Sequence, residues 1–413
     1  MKNSCLIIVV LICFFQKTTA QNSVLYDKGK GLEISTNSRE YLFNIGGFIQ
    51  PAYRSNTYDG NFSVSSSNSE NFYKSKASVF TFGGEMKKEK LSFFMMTDFS
   101  LDEPLQEAWL SYHLSDNTSI TFGQMLSFTN NREMMYRENN LQMNDRSLLS
   151  ENFSNSGREF GVFLKTQINS SIGEVVPMFA LTSGDGKNSF GNDSRDVDKG
   201  KYKLGGRIDY FPFGKFSNGN MNTSSDIVGE EKVKLVFGIA GSINNGASNN
   251  VGEGHGDFIL YDSVGLESFP DYNQIYFDAL FKYAGFSFLF EYVDSSVGGI
   301  DEIYTNNGVD GSNNAELILS PTQISNFMVL GEQFNTQIGY VSNFDLSFDL
   351  RYGQSNPEFG DNVGSILGET KNYGIGMTKF FGNNIKVQAM YNETNLKNGN
   401  NFTTGEILMQ VIF

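Results

Sequence analysis

The chain of 413 residues is acidic, with 46 Asp and Glu against 31 Lys and Arg and a net charge of −15 at pH 7. This balance argues against a nucleic-acid-binding protein, because such proteins need a basic surface. Only 39% of the residues are hydrophobic, and no run of eighteen apolar residues follows residue 20, which excludes membrane-spanning helices from the rest of the chain.

Residues 1–20 have the pattern of a secretory signal peptide. A positively charged start precedes an apolar run at residues 6–15, which is too short to span a membrane, and a small-residue cleavage site follows. Removing this segment takes away both cysteines, Cys5 and Cys13, together with two lysines, so the net charge becomes −17. We therefore expect no disulfides in the exported chain. Residues 21–38 are expected to form a short periplasmic segment.

From residue 39 to residue 413 the sequence alternates between apolar and polar residues with a period of two, in sixteen predicted strands. In residues 344–352, for example, aromatic and aliphatic residues alternate with Asp345, Asp349 and Arg351. An Arg or Lys facing lipid would cost about 2 to 4 kcal/mol at the midplane, so the charged face is expected to line water. The pattern predicts an all-β transmembrane antiparallel barrel, with a soluble two-sheet sandwich as the alternative.

The connections between the predicted strands alternate in length, as in outer-membrane barrels with short periplasmic turns and long outside loops. Ala284-Gly285 is a short turn, whereas residues 54–73, the first outside loop, and residues 294–331 form long loops. Residues 214–231 break the pattern, because they are long and fall on the periplasmic side. The last strand ends on an aromatic residue, Phe413, which we interpret as the C-terminal signal for barrel insertion.

Several stretches of the sequence resemble the phosphate-selective porin O and P family. They begin at Gly46 (GGFIQPAY), Phe80 (FTFGGEMKKEKLSFFMMTDFS), Gly157 (GREFGVFLK) and Tyr202 (YKLGGRIDYFPFG), and their order and spacing carry the resemblance. It implies a sixteen-stranded, trimeric porin whose third outside loop, residues 127–158, folds into the lumen and narrows it. It also implies that the arginines of this constriction attract anions: Arg132, Arg137, Arg146 and Arg158.

Alternation alone places seven further bases on the lumenal face: Lys165, Lys203, Arg207, Lys234, Lys282, Arg351 and Lys386. It places six acids on the same face: Asp209, Asp278, Glu291, Asp345, Asp349 and Glu406. For any one base, pairing with a carboxylate is the more ordinary role. A ring of arginines selects anions only where its field is not cancelled, so these residues leave phosphate specificity open.

The sequence offers little for catalysis or metal binding. Its two histidines, His113 and His255, lie in no catalytic pattern, so we expect no enzyme activity. The loop that contains Asp185, Asp193, Asp196 and Asp198 could bind calcium, but its spacing matches no EF-hand and a solvated acidic loop is the better interpretation. We expect neither a metal nor a cofactor.

Together these features predict a passive channel of the Gram-negative outer membrane for small hydrophilic solutes, with a further expectation of preference for anions such as phosphate. The expected partners are outer-membrane lipid, lipopolysaccharide, the barrel-assembly machinery and two further copies of the chain in a homotrimer. An adhesion or binding platform built on the long outside loops is the alternative.

Overall fold

The computed structural model describes residues 23–27, 31–36, 40–60, 69–87, 89–187, 201–299, 303–305, 307 and 321–413. The predicted signal peptide lies outside the described residues. The strands are β1 (Ser23–Asp27), β2 (Gly31–Ser35), β3 (Tyr41–Asp59), β4 (Ser69–Met86), β5 (Leu91–Asp98), β6 (Leu105–Ser115), β7 (Thr118–Leu126), β8 (Arg158–Thr166), β9 (Ile168–Ser170), β10 (Gly173–Thr182), β11 (Lys203–Phe211), β12 (Lys234–Asn244), β13 (Asp271–Tyr283), β14 (Phe286–Gly298), β15 (Gly331–Val341), β16 (Leu346–Pro357), β17 (Thr370–Phe381), β18 (Ile385–Leu396) and β19 (Asn401–Ile412). Two short helices span Leu148–Phe153 and Pro321–Ile324. Among the described residues, no helix combines the length and the apolar character that crossing a membrane requires.

Strands β3 to β19 form a closed antiparallel barrel of sixteen strands, which confirms the predicted fold class. Each strand pairs with the next along the chain, with β8 and β9 together forming the sixth strand of the barrel. The ring closes where β19 pairs with β3, with Ile407 opposite Tyr53. At this seam Phe413 exchanges two backbone hydrogen bonds with Gly47, of 2.9 and 3.0 Å.

The outer face of the barrel wall is apolar, and the inner face combines polar side chains with an apolar cluster on β8 and β10 to β14. In β13 the side chains of Gln274 and Asp278 are buried, whereas those of Ile275 and Phe277 between them are exposed. The same alternation buries Asp209, Glu291, Asp349 and Glu406, as predicted. The prediction for Asp345 is wrong, because β16 begins only at Leu346 and Asp345 is an exposed turn residue with a positive φ of 56°.

The two ends of the barrel differ in the length of their connections. At one end, the turn end, six of the connections have two to four residues. Ala284 and Gly285 both have positive φ there, which is the geometry of a tight turn that matches the twist of β13 and β14. The connection 212–233 at the same end is long, as predicted. At the other end, the loop end, the connections range from four residues (397–400) to 32 residues (299–330).

The N-terminal residues extend the sheet beyond the seam. β1 and β2 pair as a hairpin, and β2 pairs with the first part of β3, with Leu32 opposite Ile45. This stretch of β3 lies on the turn-end side of the residues that pair with β19. The described part of the predicted periplasmic segment 21–38 is therefore largely a hairpin attached to the rim of the barrel.

Candidate functional site

The connection between β7 and β8, which we call the loop segment (residues 127–157), binds to the polar inner face of the wall around the ring. Arg137 pairs with Glu107 on β6, with both N···O distances 2.8 Å. Gln142 donates to Asp349 on β16 (2.8 Å), and Asn144 donates to Glu406 on β19 (3.2 Å). Further contacts reach β3, β4, β11, β13, β14, β15 and β18.

Glu133 organises the middle of the loop segment. One of its carboxylate oxygens accepts from the Ser147 amide (2.6 Å) and the Ser150 hydroxyl (2.7 Å), at the start of the helix Leu148–Phe153. The other accepts from the guanidinium of Arg351 on β16 (2.9 Å). Burial opposes ionisation of Glu133, but Arg351 and the Ser147 amide outweigh it, so the pKa of Glu133 is lowered. Glu133 is therefore a buried, charged anchor.

Arg132 belongs to a closed group of two arginines and two aspartates. Its guanidinium lies 2.5 Å from Asp278 and 2.7 Å from Asp209. Arg207 contacts the same two carboxylates, at 2.5 and 2.8 Å. All four side chains are almost completely buried and their charges balance, so Arg132 and Arg207 fix the loop segment to the wall rather than present a free cation.

Arg158 and Arg351 are also buried, and the terminal nitrogens of both bind the loop segment. Arg158 pairs with Glu138 at 3.0 and 3.1 Å. Arg351 donates to the backbone carbonyls of Asp145 and Arg146, each at 3.0 Å. Their side chains are only 3% and 1% exposed, which leaves no room for a solute to contact them.

Five other bases keep part of their side chains exposed in the interior. Arg137 and Arg146 lie on the loop segment and are 34% and 14% exposed. The other three lie on the wall beside the loop segment: Arg54 on β3, and Lys74 and Lys76 on β4. The Lys74 side chain is 30% exposed. We call these five residues, which lie on or beside the loop segment, the exposed bases.

Three of the exposed bases, Arg54, Lys74 and Lys76, share two carboxylates. Asp145 of the loop segment pairs with Arg54 and Lys76, and burial opposes ionisation there, but Lys76 and Arg54 outweigh it and lower the pKa of Asp145 to about 2. Glu406 of β19 lies 2.6 Å from Arg54, 2.8 Å from Lys76 and 3.6 Å from Lys74. Three cations thus meet two buried or half-buried anions, so this part of the wall retains positive charge.

The sequence interpretation missed Arg54, Lys74 and Lys76. It began the first outside loop at Arg54, whereas β3 continues to Asp59 and β4 begins at Ser69. The signal was the continued alternation of Ala52, Arg54, Asn56 and Tyr58 on one face. It was hidden because the intervening residues are mostly polar.

An aromatic surface lies beside Arg137. Its guanidinium lies over the ring of Phe94, 4.2 Å from the centroid, and Phe94 stacks on Trp109 with centroids 5.8 Å apart. Trp109 in turn donates to Glu107, the ion-pair partner of Arg137 (3.3 Å). This contact makes Trp109 a natural reporter of the position of the loop segment.

A cavity of about 870 Å³ lies between the loop segment and the wall. Its lining includes Arg54, Asp145 and Arg146, together with Glu151 of the short helix and Tyr58 of β3. The Glu151 side chain is exposed to the space inside this cavity, and the cavity is bounded by the loop segment and the wall. Burial, and then the charge of Asp145, raise the pKa of Glu151 to about 7.

The remaining predicted lumenal lysines lie in the expected register, and most have bonded ammonium groups. Lys203 pairs with Glu159 (2.6 Å), and Lys386 donates to carbonyls of Asn139 and Leu141 in the loop segment, both at 3.3 Å. Lys234 donates to the Phe213 carbonyl, Lys282 donates to three carbonyls, and Lys165 has an exposed side chain near the turn end of β8.

Both histidines have simple hydrogen-bond partners. His113 lies 3.1 Å from the Ser92 hydroxyl, and His255 contacts Asp185 (2.6 Å) and Asn244 (3.2 Å). Within the described ranges, no group of three or more His, Cys, Asp or Glu side chains could hold a metal ion. Residues 193–198 of the acidic loop, for which the sequence favours a solvated loop over a calcium site, lie outside those ranges.

Comparison with solved structures gives several matches to this barrel over nearly its whole length. The outer membrane channel DcaP of Acinetobacter baumannii matches with a TM-score of 0.52 and 12% identity, over 92% of this chain and 99% of that one. The anion-selective porin from Comamonas acidovorans matches with a TM-score of 0.54 and 10% identity, over 91% and 100%. OmpF of Salmonella typhi matches with a TM-score of 0.53 and 11% identity, over 94% and 100%.

The chain has the fold of a porin. At these identities the likeness concerns the fold alone. Comparison with models of protein families gives no match, and neither does comparison with curated proteins. Membership of the phosphate-selective porin O and P family therefore stays a prediction.

Proposed function

We propose that the chain is a passive channel of the Gram-negative outer membrane for small hydrophilic solutes, assembled as a homotrimer among lipopolysaccharide. The observation that carries the proposal is the loop segment, which binds the inner face of the wall on opposite sides, through Glu107 and Asp349 for example. A segment held in this way crosses the lumen and narrows it. The exposed apolar outer face suits lipid, and the porin fold supports the same function.

We further propose that the channel prefers anions such as phosphate, through the exposed bases rather than through the whole predicted arginine set. Arg132 and Arg158 are neutralised and buried, so they act on the position of the loop segment. Arg137, Arg146 and Lys74 offer guanidinium and ammonium groups to a passing solute. Partial pairing with carboxylates keeps their hold weak, which permits release.

The first test is the reversal potential of the purified protein in a planar bilayer under a salt gradient. We expect discrete conductance steps with an anion-directed potential. Lys74→Gln should lower the ratio of anion to cation permeability by about two- to fivefold, the effect of removing a unit charge worth about 0.4 to 1 kcal/mol near the ion path. Lys371→Gln is the matched control, because Lys371 lies on the outer face of β17.

The two parts of the proposal fail in different ways. A cation-directed potential, or a Lys74→Gln variant indistinguishable from Lys371→Gln, would overturn the anion preference and leave the channel. Absence of conductance would overturn the channel itself. The adhesion alternative concerns the outside loops, of which residues 188–200 and 308–320 lie beyond the described residues. A variant without these loops that still conducts but no longer binds cells would favour that alternative.

A further inference from the structure

The connection between β11 and β12, which we call the turn segment (residues 212–233), is longer than closing the barrel requires. β11 and β12 are direct neighbours, and Tyr210 pairs with Phe237 near their ends. Six other connections at this end use two to four residues for the same task. The turn segment is therefore longer than a connection at the mouth of the barrel needs to be, and its contacts show where the additional residues lie.

Lys282 binds the turn segment from the inner face of β13. Its ammonium donates to the backbone carbonyls of Asn220 (2.7 Å), Thr223 (2.7 Å) and Ser225 (2.8 Å). Three N–H donors exist only on the charged form, and all three are used here. The ammonium also lies 4.8 Å from the ring centroid of Phe216. Lys282 is completely buried, so these contacts replace its hydration shell.

The Asp226 carboxylate and the Glu230 backbone carbonyl of the turn segment complete the attachment at the tight turn between β13 and β14. Asp226 accepts from the Gly285 amide (2.8 Å) and from the Asn220 side chain (2.6 Å). The Ala284 amide donates to the Glu230 carbonyl (2.9 Å). The attachment is thus polar at the rim and continues inward through Lys282.

An apolar cluster fills the space between the turn segment and the loop segment. Phe216 packs edge-on against Phe211 of β11 (6.2 Å), and Phe128 of the loop segment packs edge-on against Phe163 of β8 (5.7 Å). The cluster also contains inward-facing wall residues: Val176, Met178, Ala180, Val236, Leu280 and Leu289. These side chains are at most 6% exposed. Because a close-packed apolar interior excludes water, this cluster obstructs the lumen beside β8 and β10 to β14.

We propose that the turn segment is a second obstruction of the lumen, held by Lys282, which closes the barrel beside β8 and β10 to β14. Passage is then confined to the opposite side, where Arg54, Lys74 and Arg137 remain partly exposed. This inference rests on the proposed channel function and deepens it, because it assigns the width and position of the path to two segments instead of one.

The test separates attachment of the segment from conduction. A reporter cysteine replaces Thr223, whose carbonyl rather than side chain binds Lys282, in the chain from residue 21, which has no cysteine of its own. With Lys282→Met, labelling of Cys at this position by a polar maleimide should accelerate by about tenfold or more, because three charged hydrogen bonds are lost. Without the reporter, Lys282→Met should increase the single-channel conductance.

Lys379→Met is the matched control. Lys379 lies near the turn end of β17, and its ammonium also donates to a backbone carbonyl, but that carbonyl belongs to Phe344 in the turn between β15 and β16 rather than to the turn segment. This variant should change neither the labelling nor the conductance. Phe216→Ala tests the same attachment from the turn segment itself, and it answers the question if Lys282→Met fails to fold by circular dichroism.

Unchanged labelling and conductance in both Lys282→Met and Phe216→Ala would overturn the proposal. Faster labelling with unchanged conductance would also overturn it, since the segment would then be attached without blocking passage. If the unaltered protein does not conduct, the proposed function fails instead, and the labelling rates still decide whether Lys282 holds the segment.

Discussion

At the scale of single residues, the arginines inside the barrel divide by exposure. Removing a charge from water costs several kcal/mol unless a partner compensates it, so buried guanidinium groups such as those of Arg132 and Arg351 must have carboxylate or carbonyl acceptors. The structure meets this demand within the loop segment and the wall. Arg137 and Lys74 need fewer protein acceptors, because part of each side chain is exposed to the interior space. Exposure, rather than residue type, therefore decides which bases can act on a solute.

The acid Glu151 should make ion preference depend on pH. Its pKa of about 7 means that it is neutral near pH 6 and charged near pH 8. Because a negative charge at the cavity repels anions, the ratio of anion to cation permeability should fall by about two- to fivefold as the pH rises from 6 to 8. Reversal potentials at the two pH values measure this change.

Glu151→Gln should remove most of that pH dependence and keep the pH 6 ratio throughout. Glu393→Gln provides the control, since Glu393 lies on the outer face of β18 and should leave the dependence intact. An equal pH dependence in Glu151→Gln and the unaltered protein would show that another group is responsible.

At the scale of elements, the loop segment has little regular structure of its own. It contains one helix of six residues and two short 3-10 turns, so few of its backbone carbonyls are satisfied within it. The wall supplies donors instead: Arg351 and Lys386 each bind two carbonyls of the segment. Charged donors to backbone carbonyls fix an irregular segment in place without requiring it to form a helix or a strand.

Arg351→Gln should loosen the loop segment and destabilise the protein. The change leaves Glu133 buried without its guanidinium partner, and breaking a buried pair in this way costs about 3 to 5 kcal/mol. Urea titrations give the free energy of unfolding. Fluorescence of Trp109, the only tryptophan, should shift at lower urea than the loss of β-sheet, because Trp109 contacts Phe94 and Glu107, which are both partners of Arg137 in the segment.

The double variant Glu133→Gln, Arg351→Gln identifies the cause. If the cost comes from an uncompensated carboxylate, removing that charge should recover part of the lost stability. No recovery would assign the loss to the carbonyls of Asp145 and Arg146, which Arg351 also binds.

The sequence predicted the strands better than the inserted segments. Period-two alternation states which face a residue occupies, and it placed Asp278 and Arg351 inside correctly. It does not state which residue lies across the barrel, so the group of Arg132, Arg207, Asp209 and Asp278 was not predictable from spacing. Strand ends were also missed where polar residues occupy both faces, as around Arg54. The length of the turn segment was visible, but its attachment to Lys282 was not.

At the scale of the whole molecule, the charge inside the barrel differs from the net charge of the chain. The net charge of −15 would suggest a barrel unfavourable to anions. Inside the barrel, however, bases and acids alternate around the loop segment and nearly balance, and the partly exposed groups are mostly bases. A solute experiences the charges along its path, which the surrounding low-dielectric wall screens little, so the overall charge does not set ion preference.

Phe413 tests whether closure of the barrel and delivery to the membrane are separate properties of the last strand. Its backbone, not its ring, makes the two hydrogen bonds with Gly47, and its side chain is 45% exposed. Phe413→Ala should therefore change the free energy of unfolding in detergent by less than about 1 kcal/mol. If the ring is the insertion signal, the amount of folded barrel in the outer membrane of cells should fall severalfold, as measured by membrane fractionation. Phe381→Ala, an exposed aromatic at the same end of β17, should leave that amount unchanged, and an equal fall in both variants would contradict a specific signal.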